Sequence, residues 1–269
     1  NFSPFIDKNP LTTADQQFKA LGGTSKGLYA LVSPDGIHWS KLKEEPVFTD
    51  GIFDSQNVAF WSESEARYLC YFRSWTGDGY KGYRTVSRTE SVDFIHWSAP
   101  QSMDFGGTPL EHLYTNQTAP YYRAPHIYLS IAARFMPGRQ AITEEEAEEI
   151  GVNKKYFKDC SDAVLLSSRG GNRYFRTFME GFVRPGIGLE NWISRTNYPA
   201  LNIVPTGDNE LSIYVNQNYA QSSAHVRRYS MRMDGFVSLQ APYSGGTWTS
   251  KPMHFEGNAL YLNFATSAA

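Results

Sequence analysis

The sequence predicts an all-β chain built as a β-propeller, and three observations carry that prediction. One phrase is written nearly twice, "SPDGIHWS" at 33–40 and "SVDFIHWS" at 91–98. Short alternating or apolar-aromatic runs bounded by Gly, Pro, Asn and Asp recur along the chain, which is the pattern of strands separated by turns. These runs fall into four successive units of roughly 50–75 residues, and four-stranded sheets repeated at that period assemble a propeller.

Unit one runs from "FSPFIDKNP" through "GLYALVS" to the first copy of the repeated phrase. Unit two runs from "GIFDSQNVAFW" through "RYLCYFRSW" to the second copy. Unit three holds "HLYTNQTAPYY", "HIYLSIAARF" and "DAVLLSSRGGNRYF", where Gly170 replaces the Asp and Tyr174 the Trp in a worn third copy. Unit four holds "SRTNYPALNIV", "ELSIYVNQ" and "RRYSMRMDGFVSL". The repeated phrase reads as scaffold. Its Ser and Asp (Asp35, Asp93) are placed to bind local backbone N–H groups, and Trp39 and Trp97 to pack between blades. One helix is expected, at "TEEEAEEI" (143–150), where Thr143 and Glu146 have capping-box spacing. It reads as an insertion whose glutamates face water.

Composition limits the function. Lys and Arg number 25 against 27 Asp and Glu, a net charge of −2, which argues against a phosphate-backbone binder. No apolar run approaches the roughly 20 residues of a membrane-spanning helix. Aromatic residues make up 15% of the chain, a content that suits packed sheets and also suits stacking on sugar faces. Cys70 and Cys160 show no metal spacing, and Cys70 within a strand reads as a buried free thiol. Neither a phosphate loop, a G-x-S-x-G elbow nor a zinc pair is present, and the spacing of His112, His126 and His225 specifies no metal.

In a propeller the first strand of each blade lines the axis, so the starts of the units are where a ligand would be met. Those starts are dense in acids and amides. Asp7, Asp54 and Glu111 give one carboxylate to each of three successive units, and glycoside hydrolysis needs one as nucleophile or base and one as acid, while a third can tune pKa or orient the sugar. Each also has a plainer reading: Asp7 as a turn cap, Asp54 as a hairpin anchor, Glu111 as a solvated loop residue. Glu180, beside Arg184, is the rival acid. Arg73 and Arg134 fall at comparable second-strand positions from which a guanidinium could orient a carboxylate or a sugar hydroxyl. Trp75 is a candidate sugar platform. Gln56, Asn57, His112, Asn116, Gln117 and Asn197 complete the candidate binding set.

The phrases "FIDKNP", "GLYALVSPDGIHWSKL", "FDSQNVAFW", "EHLYTNQTAPYYRAPHIYL", "NWISRTNYPALNIVPT" and "RRYSMRMDGFVSLQAPYSGGTWTSKPMHFEG" resemble a group of bacterial glycoside-hydrolase-like proteins, related in pattern to glycoside hydrolase families 32 and 43. The resemblance spans nearly the whole chain. It implies a five-bladed glycosidase-type propeller over 1–242, of which four units are recognisable, and the start of a C-terminal β-sandwich over 243–269. It also implies Asp7 as base or nucleophile, Asp54 as the orienting or pKa-tuning carboxylate, and Glu111 as the acid. The chain departs from the families in three places: "FIDKNP" is a loose counterpart of "NDPNG", "FDSQN" stands for "RDP", and the third inner strand has amides where a Glu is expected.

The expected function is therefore a glycoside hydrolase acting on a glycan or oligosaccharide, with a non-catalytic lectin-like propeller or an inactive fragment as the alternative. A carbohydrate is the expected partner, with neither nucleic acid nor membrane. No cofactor is expected, although a central ion such as calcium stays open. The resemblance alone implies a secreted or periplasmic setting. The start at Asn1 and the apolar end "ALYLNFATSAA" read as candidate cuts in a longer protein, and a missing blade would open the way to an oligomer.

Overall fold

In a computed structural model, which describes residues 2–266, the chain forms four antiparallel sheets of four strands each. The first contains β1 (Phe2–Ile6), β2 (Phe18–Thr24), β3 (Gly27–Ser33) and β4 (Ser40–Lys41), paired in that order. In the second, β5 (Val58–Ser62), β6 (Arg67–Trp75), β7 (Arg84–Ser91) and β8 (Gln101–Ser102) repeat the arrangement. The third splits its inner strand into β9 (His112–Thr115) and β10 (Thr118–Tyr121), both paired with β11 (Ala124–Met136), which in turn pairs β12 (Cys160–Ser168). In the fourth, β13 (Tyr198–Pro199) and β14 (Val204–Gly207) flank β15 (Glu210–Gln217), and β16 (His225–Arg232) also pairs β15.

The chain divides into two compact units. One comprises residues up to 203 together with 213–229, and the other comprises 204–212 with the chain from 230 onward. Within the first, successive sheets pack face to face as propeller blades, and the alternation of side chains in β6 shows how. Leu69 and Tyr71 point into the core shared with the third sheet, against Tyr128, Val164 and Tyr174. Tyr68, Cys70 and Phe72 point the other way, into the core shared with the first sheet, against Leu21, Leu28 and Phe48. A period of two thus feeds two cores from one strand, which is why "YLCYF" has no polar face. Each such side chain contributes about 1.5–3 kcal/mol by burial. In the second unit, Val204 pairs with Ser212 and Met233 N donates to Asn209 O at 2.8 Å. Residues 243–266, assigned from the sequence to the start of a sandwich, carry no strand and expose Trp248, Phe255 and Tyr261.

The repeated phrase is a turn built twice with the same bonds. Asp35 Oδ1 accepts from Ile37 N at 2.9 Å and His38 N at 2.8 Å, and Ser33 Oγ accepts from Gly36 N at 2.9 Å. Asp93 and Ser91 make the matching bonds to Ile95, His96 and Phe94 at the same distances. The left-handed position is Gly36 in one copy (φ 75°) and Phe94 in the other (φ 67°). Phe94 accepts that strain because its ring is fully buried against Tyr68, 5.0 Å between centroids. Trp97 packs on the core between the first and second sheets, whereas Trp39 lies on Phe2 of its own sheet. In the worn third copy Glu65 takes the place of the lost Asp, accepting from Gly171 N at 3.4 Å.

Thr143 and Glu146 form the expected capping box on α1 (Glu144–Glu149), an insertion between β11 and β12. The insertion rests on its own small core of Ile142, Ala147, Val152, Phe157 and Ile193. Both cysteines are free and buried.

Candidate functional site

The inner strands β1, β5 and β10 and the stretch after β13 line a cavity of about 620 Å³ whose wall is largely apolar, including Phe5, Val58, Phe60, Pro120 and Leu201. β1 and β5 run in the same sense, because Lys8 and Glu63, each just past the end of its strand, meet at 3.7 Å. The site therefore has two ends, and polarity gathers at each for a different reason.

Asp7 lies at the end where β1 and β5 finish. Its side chain is 0% exposed. Oδ2 accepts from Lys19 Nζ at 2.5 Å, from Tyr68 OH at 2.7 Å and from the Thr12 hydroxyl, while Oδ1 accepts from Asn9 N at 2.9 Å. Tyr68 in turn accepts from Asn9 Nδ2 at 3.0 Å. This is a closed network that ties the first blade to the second. A base or nucleophile needs an open oxygen, and Asp7 presents none.

Asp54 lies at the opposite end, four residues before β5 begins, so the structure does not bring Asp7 and Asp54 to one face. Its side chain is 57% exposed, and it pairs with the Arg73 guanidinium, itself 4% exposed. β6 carries Arg73 to this end, since Tyr71 pairs with Val58. The third blade delivers Tyr114 and His112 from β9, and the turn before β13 delivers Arg195. The guanidinium carbons of Arg73, Arg84 and Arg195 lie 5.1, 5.6 and 5.8 Å from the centre of the Tyr114 ring. Arg84 also stacks on Trp75 at 4.6 Å and on Phe135 at 4.8 Å. Burial, and then the neighbouring charges of Arg73 and Arg195, lower the pKa of Arg84. Burial and Arg84 likewise lower that of His112, whose Nδ1 accepts from Arg84 N at 3.2 Å.

Glu111 belongs to a neighbouring network. Its oxygens accept from Arg134 Nη1 and from Arg176 Nε at 2.9 Å, leaving the side chain 15% exposed. Arg134 makes a two-pronged pair with Asp162, Nε to Oδ1 at 2.8 Å and Nη2 to Oδ2 at 2.6 Å. The Asp162 bond foremost, with Glu111 adding to it against burial, raises the Arg134 pKa. Arg176 also donates to the backbone oxygens of Phe178, Met179 and Glu180, fixing the loop on which the exposed Glu180 stands. Arg184 is exposed.

The amides expected to bind substrate are mostly engaged in holding strands. Asn57 donates to Phe53 O and Ser55 O, and Asn116 donates to Tyr71 O while accepting from Thr118 N. Gln117 links three blades through Gln56 Oε1 and Pro199 O, both at 2.7 Å. Asn197 donates to Ser161 O and Asn191 O. Among the described residues no three His, Cys, Asp or Glu side chains gather as a metal site.

Sequence reasoning passed over Arg84, Tyr114, Asp162, Arg176 and Arg195. Arg84 had a signal: it begins a strand directly across from Trp75. Tyr114 and Arg195 stood in quoted inner-strand phrases without being singled out. The others depend on pairings between distant segments.

No protein-family model matches the chain, and no curated protein does. Solved structures match it in fold. An N-acetylgalactosamine deacetylase from F. plautii, solved with blood group B trisaccharide, is 11% identical, with a TM-score of 0.53 over 84% of this chain and 75% of its own. A glycoside hydrolase is 10% identical, with a TM-score of 0.50 over 90% of this chain and 71% of its own. A β-1,2-mannobiose phosphorylase from Listeria innocua, in complex with β-1,2-mannobiose, is 9% identical, with a TM-score of 0.51 over 84% of this chain and 57% of its own. The fold is thus that of glycoside-hydrolase-type propellers, and the activities named for these three differ from one another.

Proposed function

We propose that the chain acts on a carbohydrate as a glycoside hydrolase, binding a glycan or oligosaccharide across the mouth where the inner strands begin. The observation that carries this reading is the convergence there of Asp54, Arg73, Trp75, His112, Tyr114 and Arg195 from three blades. Aromatic faces cover the apolar faces of sugar rings, guanidinium and imidazole groups bind hydroxyls, and an open carboxylate takes or gives the proton. The glycosidase-type fold supports the reading without fixing a reaction, because one fold hosts many chemistries.

In this reading Asp54 is the carboxylate that meets substrate, and Glu180, exposed on its loop, is the second. Glu111 is a positioning residue, since to deliver a proton it would first have to leave Arg134 and Arg176. Asp7 keeps a structural role. The chemistry draws on no cofactor, and an extracellular or periplasmic setting suits a glycan substrate.

A second reading, a binding module without catalysis, is favoured by the same exposures: of Asp7, Asp54 and Glu111, only Asp54 is open. A screen of aryl glycosides and oligosaccharides with the parent, Asp54→Asn, Glu180→Gln and Glu111→Gln separates the two. Cleavage lost in Asp54→Asn and Glu180→Gln but retained in folded Glu111→Gln is the expected result. Sugar binding without any cleavage by the parent would overturn hydrolysis in favour of the binding module.

A further inference from the structure

We infer that the mouth takes an acidic sugar, holding a carboxylate, sulfate or phosphate group on the ligand between Arg84, Arg195 and Arg73 around Tyr114. The inference rests on the carbohydrate reading for its sugar part. The oxyanion part stands on the arginines themselves.

A guanidinium offers five N–H donors, and buried polar groups in folded proteins are as a rule bonded. In this cluster, where Arg73 is buried and Arg84 and Arg195 are half-buried, much of that capacity is unpaired. Among the described residues the Arg84 side chain makes no hydrogen bond and no ion pair, and its buried Nε has no acceptor. Arg73 spends one donor on Asp54, and its buried Nε is likewise without a partner. Arg195 reaches only the Tyr219 hydroxyl, at 3.5 Å. Trp75 Nε1, beside Arg84, is a further buried donor without an acceptor. So unpaired N–H donors gather here, and among the described residues the carboxylate paired with them is that of Asp54.

Stacking does not account for the arrangement. Contact with an aromatic face contributes about 0.5–2 kcal/mol per guanidinium, yet it uses the face of the group and leaves its N–H edge unpaired. Three positive charges with one carboxylate between them also repel each other, which is why burial together with Arg73 and Arg195 pulls Arg84 below its ordinary pKa. His112 does not relieve this, because burial and Arg84 disfavour its charged form and its Nδ1 already accepts from the Arg84 backbone N–H. A bound oxyanion would satisfy the free N–H edges and offset the surplus charge. Guanidinium forks match the oxygen spacing of carboxylate, sulfate and phosphate. The partly exposed rings of Tyr80, Tyr83 and Trp75 beside the arginines would carry the sugar to which that group is attached. The whole chain carries a formal charge of −2, and against that background the local positive charge of the mouth is what would draw an anion to it.

The test is a calorimetric and tryptophan-fluorescence titration of the full chain at low salt. The probes are D-glucuronate, D-galacturonate, glucose 6-phosphate, inorganic phosphate and sulfate, with neutral glucose and galactose for comparison. Saturable binding of at least one sugar acid or sugar phosphate, stronger than that of the neutral sugars and weakened by added salt, is the expected result. Arg84→Met and Arg195→Met keep the apolar stem that stacks on the rings and should each weaken binding about 10- to 100-fold. Lys41→Ala, on the outer strand of the first blade, should leave it unchanged. Thermal melts show which variants are folded, and Arg84→Lys, which keeps the charge without the fork, should recover only part of the affinity. Binding of inorganic ions but of no charged sugar would overturn the acidic-sugar source and leave a free-anion site. No saturable binding below about 10 mM, or binding indifferent to both Met variants, would overturn the inference. Cleavage of neutral glycosides without oxyanion binding would sink this inference alone, whereas oxyanion binding without cleavage of any glycoside would sink only the hydrolase reading.

Discussion

Replacing Lys19 by Met should unfold the protein far more readily than any surface substitution, because it strands a charge. Lys19 and Asp7 have side chains 5% and 0% exposed, and their atoms meet at 2.5 Å. Removing one member of a buried pair costs about 3–5 kcal/mol, since the other stays desolvated without its counter-charge. Tyr68, Thr12 and the Asn9 N–H remain around Asp7, which places the expected loss toward the lower end of that range. For a domain of this size a loss of 3–5 kcal/mol lowers Tm by roughly 6–20 °C. Urea denaturation followed by tryptophan fluorescence, alongside the Asp7→Asn single variant and the double variant, measures it. The double variant should lose clearly less than the sum of the two singles, because neither charge is left alone. If Asp7→Asn melts like the parent yet abolishes glycoside cleavage, the structural account of Asp7 is refuted and its role as base or nucleophile restored.

Arg176→Met should destabilise by about 1.5–3 kcal/mol, the range for a hydrogen bond to a charged partner, with Arg134 still holding Glu111; equilibrium unfolding reads it. Leu69→Ala, at a fully buried position between the second and third blades, should cost about 2–5 kcal/mol by the same measurement. His112, its folded pKa lowered by burial and by Arg84, should contribute stability that is intact above an unfolded pKa of about 6.5 and lost as pH falls below it, because the unfolded chain takes up the proton first. Denaturation at pH 7.5 and pH 5 should show a larger drop for the parent than for His112→Phe.

Strand content, the four repeats, the inserted helix and the scaffolding role of the repeated phrase were legible in the sequence because each follows from local chemistry. Alternation in "YLCYF" and capping at Thr143 need no knowledge of distant contacts. The candidate site was legible only in part. The starts of the inner strands led to Asp54 and His112 and a second-strand position led to Arg73, and the structure brings these three toward one end of the sheets. Giving Asp7 and Asp54 to the starts of successive units did not foresee their separation, because one follows its strand and the other precedes its own. A shift from the front to the back of a strand moves a side chain from one end of the axis to the other. Arg84 and Arg195 escaped notice because their meaning lies in what they lack: a counter-charge is not visible as missing until the neighbours are known.

Charge balance then distinguishes the clusters more sharply than residue type does. Around Asp7 one lysine meets one carboxylate in a closed network. Around Glu111, Arg134 and Arg176 face Glu111 and Asp162, two against two, with both carboxylates mostly buried. Each of these is neutral and internally satisfied, as groups that hold a fold together must be. Around Tyr114 three guanidiniums face Asp54 alone, and Asp54 is half open to solvent. Uncompensated charge in a part-buried cluster destabilises the empty protein, and it becomes favourable when a ligand supplies the opposite sign. The same acids and arginines that looked alike in the sequence therefore separate into two clusters with balanced charge and one with a surplus of guanidiniums.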